Sequence, residues 1–400
     1  MPEIHGTVAP GFEKVREAFE ANFTREPDPM LAMLGDTGPA EVGAAVSVVH
    51  RGEKVVDLWG GEADRRTHRP YAEDTLQLVF STTKGVTAIC ANILAQRGEL
   101  DLDAKVADYW PEFAAAGKAD VPVRWLLSHR VGLPWIDGEM TLEQALDWDQ
   151  VVEALAAAEP AWEPGSQHGY HATTFGWLVG EVIRRVSGKS VGQFVRDELA
   201  GPLGLALWIG LPEEEHHRVA PLEVIELPTD PNLAALVDQF IGPETNLGRA
   251  LYAPGGAFTE QQFSTFNLPE VWKAEIPAAN CITDARSLAR LYGACVSEVD
   301  GVRLLDPAQV DKAIERQTDG VDHVIMGLDL QYGLGFNLPN DFLKLGGHRS
   351  FGHYGAGGSV GFADPDAELG FGYVMNKMFL GLSGDPRTGT LIDAAYASLP

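Results

Sequence analysis

Strand-like runs stand near both ends of this 400-residue chain, and the long stretch between them is patterned at helical spacing. Residues 44–50 (AAVSVVH) and 54–60 (KVVDLWG) are rich in β-branched side chains and flank Arg51-Gly52-Glu53, a short connection suited to an antiparallel hairpin. Far downstream, residues 331–337, 350–354, 358–363 and 370–375 read as further strands, with Asp364-Pro365-Asp366-Ala367 as the turn between the last two. In between, residues 83–97 carry Val86, Ile89, Cys90, Ile93 and Leu94 on one face and stop at Gly98, the pattern of a helix. Helices are also expected at 11–23, 142–158, 173–186, 191–199, 284–296 (capped by Thr283 or Asp284) and 388–397. Residues 213–280, rich in Pro, Gly and Asn, predict loops with short helices.

A strand set buries its apolar face only against another layer, so the two sets are expected to join in one sheet. The predicted fold class is α/β (α+β): an antiparallel sheet built from both chain ends and flanked by helices, with a mostly helical insertion that shows almost no strand signal. The predicted domains are residues 1–80 with 275–400, and residues 81–274 as the insert. Their junction is a natural place for a ligand cleft.

Charge excludes one class of partner. Thirty basic against 57 acidic side chains give a formal charge of −27, which repels a nucleic-acid backbone and an anionic membrane surface. Cys90, Cys281 and Cys295 cannot all pair and lack metal-ligand spacing, so they read as buried apolar side chains in a reducing compartment. The first residues show no secretory pattern, and no apolar run approaches the roughly 20 residues that span a bilayer. The expectation is a cytoplasmic protein acting on a small molecule; oligomeric state has no signature in the sequence.

Ser81-Thr82-Thr83-Lys84 lies where a β-like run, 76–80, gives way to a helix. Residues i and i+3 share a helix face, so Lys84 can reach the Ser81 hydroxyl. The positive end of the helix dipole favours an anionic serine oxygen and a neutral lysine, which is then a base. A serine at such a junction serves equally as a helix N-cap, and S-x-x-K alone recurs by chance. Two later segments add to it. Glu163–Ala172 ends in Tyr170 entering a helix, a phenol able to accept and return a proton near a Ser/Lys pair. His353-Tyr354-Gly355-Ala356-Gly357-Gly358 places a histidine on a late strand followed by small residues, where a substrate can lie and a backbone N–H can meet an oxyanion.

The order S-x-x-K, then P-G-x-x-x-x-Y, then H-x-G resembles the serine β-lactamase and penicillin-binding-protein superfamily. Within it the chain is most similar to the class C β-lactamase-like esterases, the family VIII carboxylesterases. The stretch Arg124–Pro134 (RWLLSHRVGLP) resembles the family's L-L-x-H-x-x-G-L, and Gly355–Phe362 its C-terminal sheet. The resemblance implies a β-lactamase-like fold, Ser81 as acylated nucleophile, Lys84 as base and Tyr170 as relay. It also implies an oxyanion hole from the backbone N–H groups of Ser81 and Ala356, and substrate contact at His353 and Gly355, with no metal and no organic cofactor. Two departures weigh against penicillins: Ala172 replaces the Asn of Y-x-N, and His353 replaces the Lys of K-T-G. Hydrolysis of small, short-acyl esters is the expected activity. Acyl transfer, amide hydrolysis, weak β-lactamase or peptidase activity, and a non-catalytic binding role are the alternatives.

Gly357-Gly358-Ser359-Val360-Gly361 satisfies G-x-S-x-G, but that elbow needs a helix after it and here a turn and a strand follow. His216-His217 read as an exposed loop, Asp101 and Asp103 as turn residues, and His168 and His171 as loop or pocket-rim residues. His129 reads as a hydrogen-bonded structural histidine. Trp135, Trp162 and Trp177 are core residues by default, with Trp135 the candidate for lining an acyl pocket.

Overall fold

The computed structural model describes residues 2–27, 32, 38–224, 231–258, 262–325, 327–379 and 384–400. Its strands are β1 (Ile4–Val8), β2 (Gly43–His50), β3 (Glu53–Asp64), β4 (Arg69–Pro70), β5 (Leu76–Leu78), β6 (Leu207–Trp208), β7 (Val219–Ala220), β8 (Ile282–Thr283), β9 (Phe351–Tyr354), β10 (Val360–Asp364) and β11 (Leu369–Met375). The longer helices are α1 (Glu13–Asn22), α2 (Thr82–Gln96), α3 (Trp148–Ala157), α4 (Thr174–Ser187), α5 (Pro231–Ile241), α6 (Ala285–Val296) and α7 (Pro386–Tyr396).

The large sheet runs β1-β3-β2-β11-β10-β9, with β4 on the end of β3, and each of its pairs is antiparallel. The two chain ends meet at β2–β11, where Ala44 faces Met375 and Val48 faces Phe371. Alternation along β2 sorts its side chains: Ala44, Val46 and Val48 join the cluster with Phe12, Val15 and Phe19 of the α1 side, while Ala45 and Val49 join the other core with α2 and α6. Helix α6 lies close against β11 because Gly370 and Gly372 have no side chain. A Cβ on either would stand 2.2 Å from Gly293 N or 2.4 Å from Ala285 O. Asp284 caps α6, its carboxylate accepting from Ser287 N at 2.6 Å.

Several expectations need correction. Residues 331–337 form no strand, only isolated bridges from Asn337 to Tyr332 and Gly352; Gly333 and Gly335, the latter at φ +89°, bend the backbone out of a ladder. Residues 142–158 are two helices, Leu142–Ala145 and α3, separated where Asp147 caps the second. The insert is not free of strands: β6 and β7 belong to a small sheet of order β6-β8-β5-β7, two- and three-residue strands too short to carry a period. β1 was not expected, since an edge strand whose side chains alternate between exposed and half-buried shows little apolar signal. Of the loop region 213–280, residues 225–230 and 259–261 lie outside the described residues; the remainder contains α5 and short helices. Among the described residues no helix is long and apolar enough to cross a membrane.

Candidate active site

The small sheet delivers Ser81. β5 is held by β7 and β8, Val79 N donates to Cys281 O at 3.0 Å, and the chain then turns through Phe80 at φ +43° into α2. Positive φ at a bulky residue is strained by about 1–3 kcal/mol. It persists here because the Phe80 ring packs edge-on against Phe263 and Phe266, at 5.4 and 5.0 Å. Ser81 itself is helical (φ −65°, ψ −9°) and makes no side-chain cap, so the N-cap reading fails.

Its hydroxyl instead meets two functional groups. Lys84 Nζ lies 3.0 Å and Tyr170 Oη 2.7 Å from Ser81 Oγ. Lys84 is fully buried on α2, with Nζ 2.6 Å from Ala172 O and 3.0 Å from Ala278 O. Burial without a carboxylate partner holds its pKa well below the usual lysine range. A neutral amine has two N–H donors and one lone pair. With the two carbonyls taking those donors, the neutral form would keep its lone pair for Ser81 Oγ–H. Burial pushes the Tyr170 phenol up, so it stays protonated and donates to Ser81.

Tyr170 is set among neutral rings. His129, at φ +59°, lies 5.1 Å away, and its Nδ1 accepts from His171 N. His171 donates from Nδ1 to Gly169 O and accepts from Leu133 N at Nε2. Burial holds His129 well below its ordinary value and His171 down at about 3. His129 is thus a bonded structural histidine as expected, whereas His168 and His171 are buried rather than on a rim.

β9 supplies the opposite wall. His353 is buried, and its Nδ1 lies 2.6 Å from Tyr354 O, so Nδ1 carries the proton and Nε2 the lone pair; Nε2 has no hydrogen-bond partner among the described residues. Burial holds His353 at about 3. Ala356 lines the cavity with Ser81, and the backbone N–H of neither donates to a described residue. Behind Ala356, Arg387 Nη2 donates to Gly357 O at 2.8 Å and Thr388 Oγ1 to Gly358 O at 2.9 Å, fixing the loop from α7. Gly355 is not on the cavity wall; a Cβ there would stand 2.2 Å from Val79 O and Ser359 Oγ.

The cavity over Ser81 is walled mainly by Leu251, Ile325, Leu328, Leu330, Phe342 and Leu343, with no carboxylate or cation among the described residues of its lining. Trp135 is not part of it and lies instead under the Arg249 guanidinium, 4.0 Å from the ring centroid. Trp177 is core, and Trp162 packs against the cluster containing Tyr170. Ser359 is 1% exposed and donates to Val79 O at 2.9 Å, a strut between the start of β10 and the turn that leads into Ser81. Asp101 accepts from Asp103 N in a turn, and His217 Nδ1 lies 2.7 Å from Glu214 O. Among the described residues no three His, Cys, Asp or Glu side chains gather to hold a metal ion. Sequence reasoning missed Asp322, Arg387 and the apolar wall residues Ile325, Leu328, Leu330, Phe342 and Leu343, none of which stands in a recognisable motif.

The beta-lactamase family model matches residues 34–395. Esterase/beta-lactamase LipL of Mycobacterium tuberculosis is 37% identical over 350 residues, covering 84% of this chain and 77% of that protein. A solved family VIII carboxylesterase superposes with a TM-score of 0.85 at 40% identity, covering 99% of this chain and 100% of its own. A penicillin-binding protein homolog from Caulobacter crescentus gives 0.85 at 39% identity with the same coverage. Likeness of that extent, in sequence and in backbone, means that the chain belongs to the beta-lactamase family.

Proposed function

We propose that the protein is a serine carboxylesterase that hydrolyses small, short-acyl esters through a covalent acyl-Ser81 intermediate. The carrying observation is the place of Lys84: fully buried, with no carboxylate partner among the described residues, and with Nζ within hydrogen-bond distance of Ser81 Oγ, Ala172 O and Ala278 O. Ser81 Oγ attacks the ester carbonyl carbon while its proton passes to Lys84 Nζ. The carbonyl oxygen becomes an oxyanion received by the N–H groups of Ser81 and Ala356. The Lys84 proton returns through the Tyr170 phenol to the leaving alkoxide as the C–O bond breaks. Water then attacks the acyl carbonyl carbon, giving its proton to the same relay; the bond from that carbon to Ser81 Oγ breaks, the relay returns the proton to Ser81 Oγ, and the acid departs.

The neutral, apolar cavity supports an uncharged substrate. The neutral His353 imidazole gives no ionic hold on the carboxylate of a penicillin, which disfavours β-lactam turnover. The same reading treats residues 1–80 with 275–400 as the sheet domain and 81–274 as its insert. It has the protein act in the cytoplasm on a freely diffusing ester, supported by three buried unpaired cysteines. Ser81→Ala is expected to abolish hydrolysis of a short-chain p-nitrophenyl ester and acylation detected by mass spectrometry. Activity equal to the parent protein would refute the proposal.

A further inference from the structure

Asp322 is fully buried, and no basic side chain hydrogen-bonds or ion-pairs with its carboxylate among the described residues. One oxygen, Oδ1, accepts three backbone N–H groups: Tyr170 at 3.1 Å, Val324 at 2.8 Å and Ile325 at 2.7 Å. The other, Oδ2, accepts the Tyr332 hydroxyl at 3.2 Å. A buried carboxylate lacking a counterion survives only when its lone pairs are taken by donors, and here four donors do so. Those donors come from two parts of the molecule. Tyr170 belongs to the inserted segment and touches the Ser81 hydroxyl. Ile325 and Tyr332 belong to a stretch that, with Leu328 and Leu330, forms the apolar wall of the cavity. That stretch has little regular structure of its own: its backbone is tied by single bonds such as Asp322 N to Leu328 O and Gly327 N to Asp322 O. The Tyr332 ring in turn lies parallel to that of Tyr170, 6.4 Å away at 10°.

We infer that Asp322 is a positioning residue that registers the Tyr170 phenol and the acyl-binding wall on a single carboxylate. It touches neither substrate nor nucleophile. It holds the phenol at hydrogen-bond distance from Ser81 and at the same time fixes how far Ile325, Leu328 and Leu330 stand from that hydroxyl. Its consequence is a coupling: proton relay and acyl-length preference shift together when this one group changes. The inference rests on Ser81 and Tyr170 acting as proposed above.

The test measures Asp322→Ala and Asp322→Glu against the parent protein with p-nitrophenyl acetate, butyrate and hexanoate. Every rate is divided by the number of sites titrated with a fluorophosphonate. Asp322→Glu keeps the carboxylate but displaces it by a methylene, so it carries the test where the alanine variant fails to fold. A misplacement near 1 Å can cost about 100-fold, so the per-site kcat of Asp322→Ala is expected to fall about 100-fold and that of Asp322→Glu about tenfold. The hexanoate-to-acetate ratio of kcat/KM is expected to move in both. Asp322→Asn, which keeps an oxygen for the three amides, is expected to restore kcat to within about threefold of the parent. A purely structural role would lower the number of titratable sites and leave per-site kcat and the acyl ratio unchanged; that result overturns the inference. Retained activity in Ser81→Ala would instead overturn the esterase reading itself.

Discussion

Two polar clusters lie buried in this molecule, and they handle the cost of burial in opposite ways. At the proposed active site, Lys84 has carbonyls and a hydroxyl for company, and burial favours its neutral form. Beneath the Ala356 loop, Arg387 is equally buried but lies between Asp385, at 2.8 Å, and Glu41, at 3.3 Å, and keeps its charge. Burial opposes that charge too, yet Tyr373, Asp385 and Glu41 outweigh it and hold Arg387 well above its ordinary value. A guanidinium is not deprotonated in a protein and forms fixed bidentate pairs, whereas an ammonium on a flexible stem gives up its proton readily. The lysine site is therefore suited to moving a proton and the arginine site to holding a loop. Glu41 shows the remaining tension: burial, only partly offset by Arg387, raises it to about 7.

The contrast can be broken first at the lysine. Lys84→Met is expected to lower kcat on a short-chain ester by at least about 10³-fold, since it removes the amine that lies 3.0 Å from Ser81 Oγ. Circular dichroism should remain that of the parent, because the helix face around it is apolar. A variant that kept a tenth of the parent rate would contradict the assignment of Lys84 as base.

The arginine site should respond in stability. Arg387→Met leaves Asp385 and Glu41 buried without their partner and is expected to cost about 3–5 kcal/mol in chemical denaturation. It should also lower esterase activity through the freed Gly357 carbonyl. A midpoint unchanged in denaturant would mean the cluster holds little.

The smallest expected effect sharpens the comparison through pH. His129, His171 and His353 are held below 6.5 in the fold, the last two at about 3, so between pH 6.5 and 3 the unfolded chain binds protons that the native protein does not. Stability from these three is complete above pH 6.5 and is lost as pH falls. Glu41, raised from 4.5 to about 7, works the other way: its protonated form is native-like, so it adds stability as pH falls through 7 toward 4.5. Each proton is worth about 1.4 kcal/mol per pH unit where only one state binds it. Three histidines against one glutamate leave a net loss on acidification over pH 6.5–4.5. Glu41→Gln should steepen that slope by about one proton in pH-dependent denaturation curves, and an unaltered slope would count against a shifted Glu41.

Much of the fold was legible before any coordinates. The β2–β3 hairpin, α2, α4, α6 and the paired β10–β11 strands announce themselves because each is long enough to show its period and ends on a glycine, a turn or a cap. What escaped was either short or irregular. β5 to β8 span two or three residues each, and residues 331–337 look like a strand until Gly333 and Gly335 are seen to fold the chain back. At the site, Ser81, Lys84 and Tyr170 were named from motif order. Gly355 and Trp135 were named as well, and neither is among the residues that line the cavity, although Tyr354 and Ala356 on either side of Gly355 are. Being near a motif in sequence says nothing about which side of the backbone faces the cleft.

The sequence by itself determined the joining of the two chain ends in one antiparallel sheet, the strand-to-helix step at Ser81, and the unsuitability of G-x-S-x-G at Ser359. These follow from local periodicity and from which residues follow which. Only the tertiary structure decided that Lys84 has no counterion among the described residues, that His353 carries its proton on Nδ1, and that Asp322 ties Tyr170 to the cavity wall. The physical reason is common to all three. Protonation state and hydrogen-bond partnership depend on what lies within a few ångströms: Ala172 and Ala278 were brought to Lys84, and Tyr170 to Asp322, by folding, while for His353 the neighbour is next in the chain and the backbone conformation and rotamer in β9 turn the Tyr354 carbonyl and the ring toward each other.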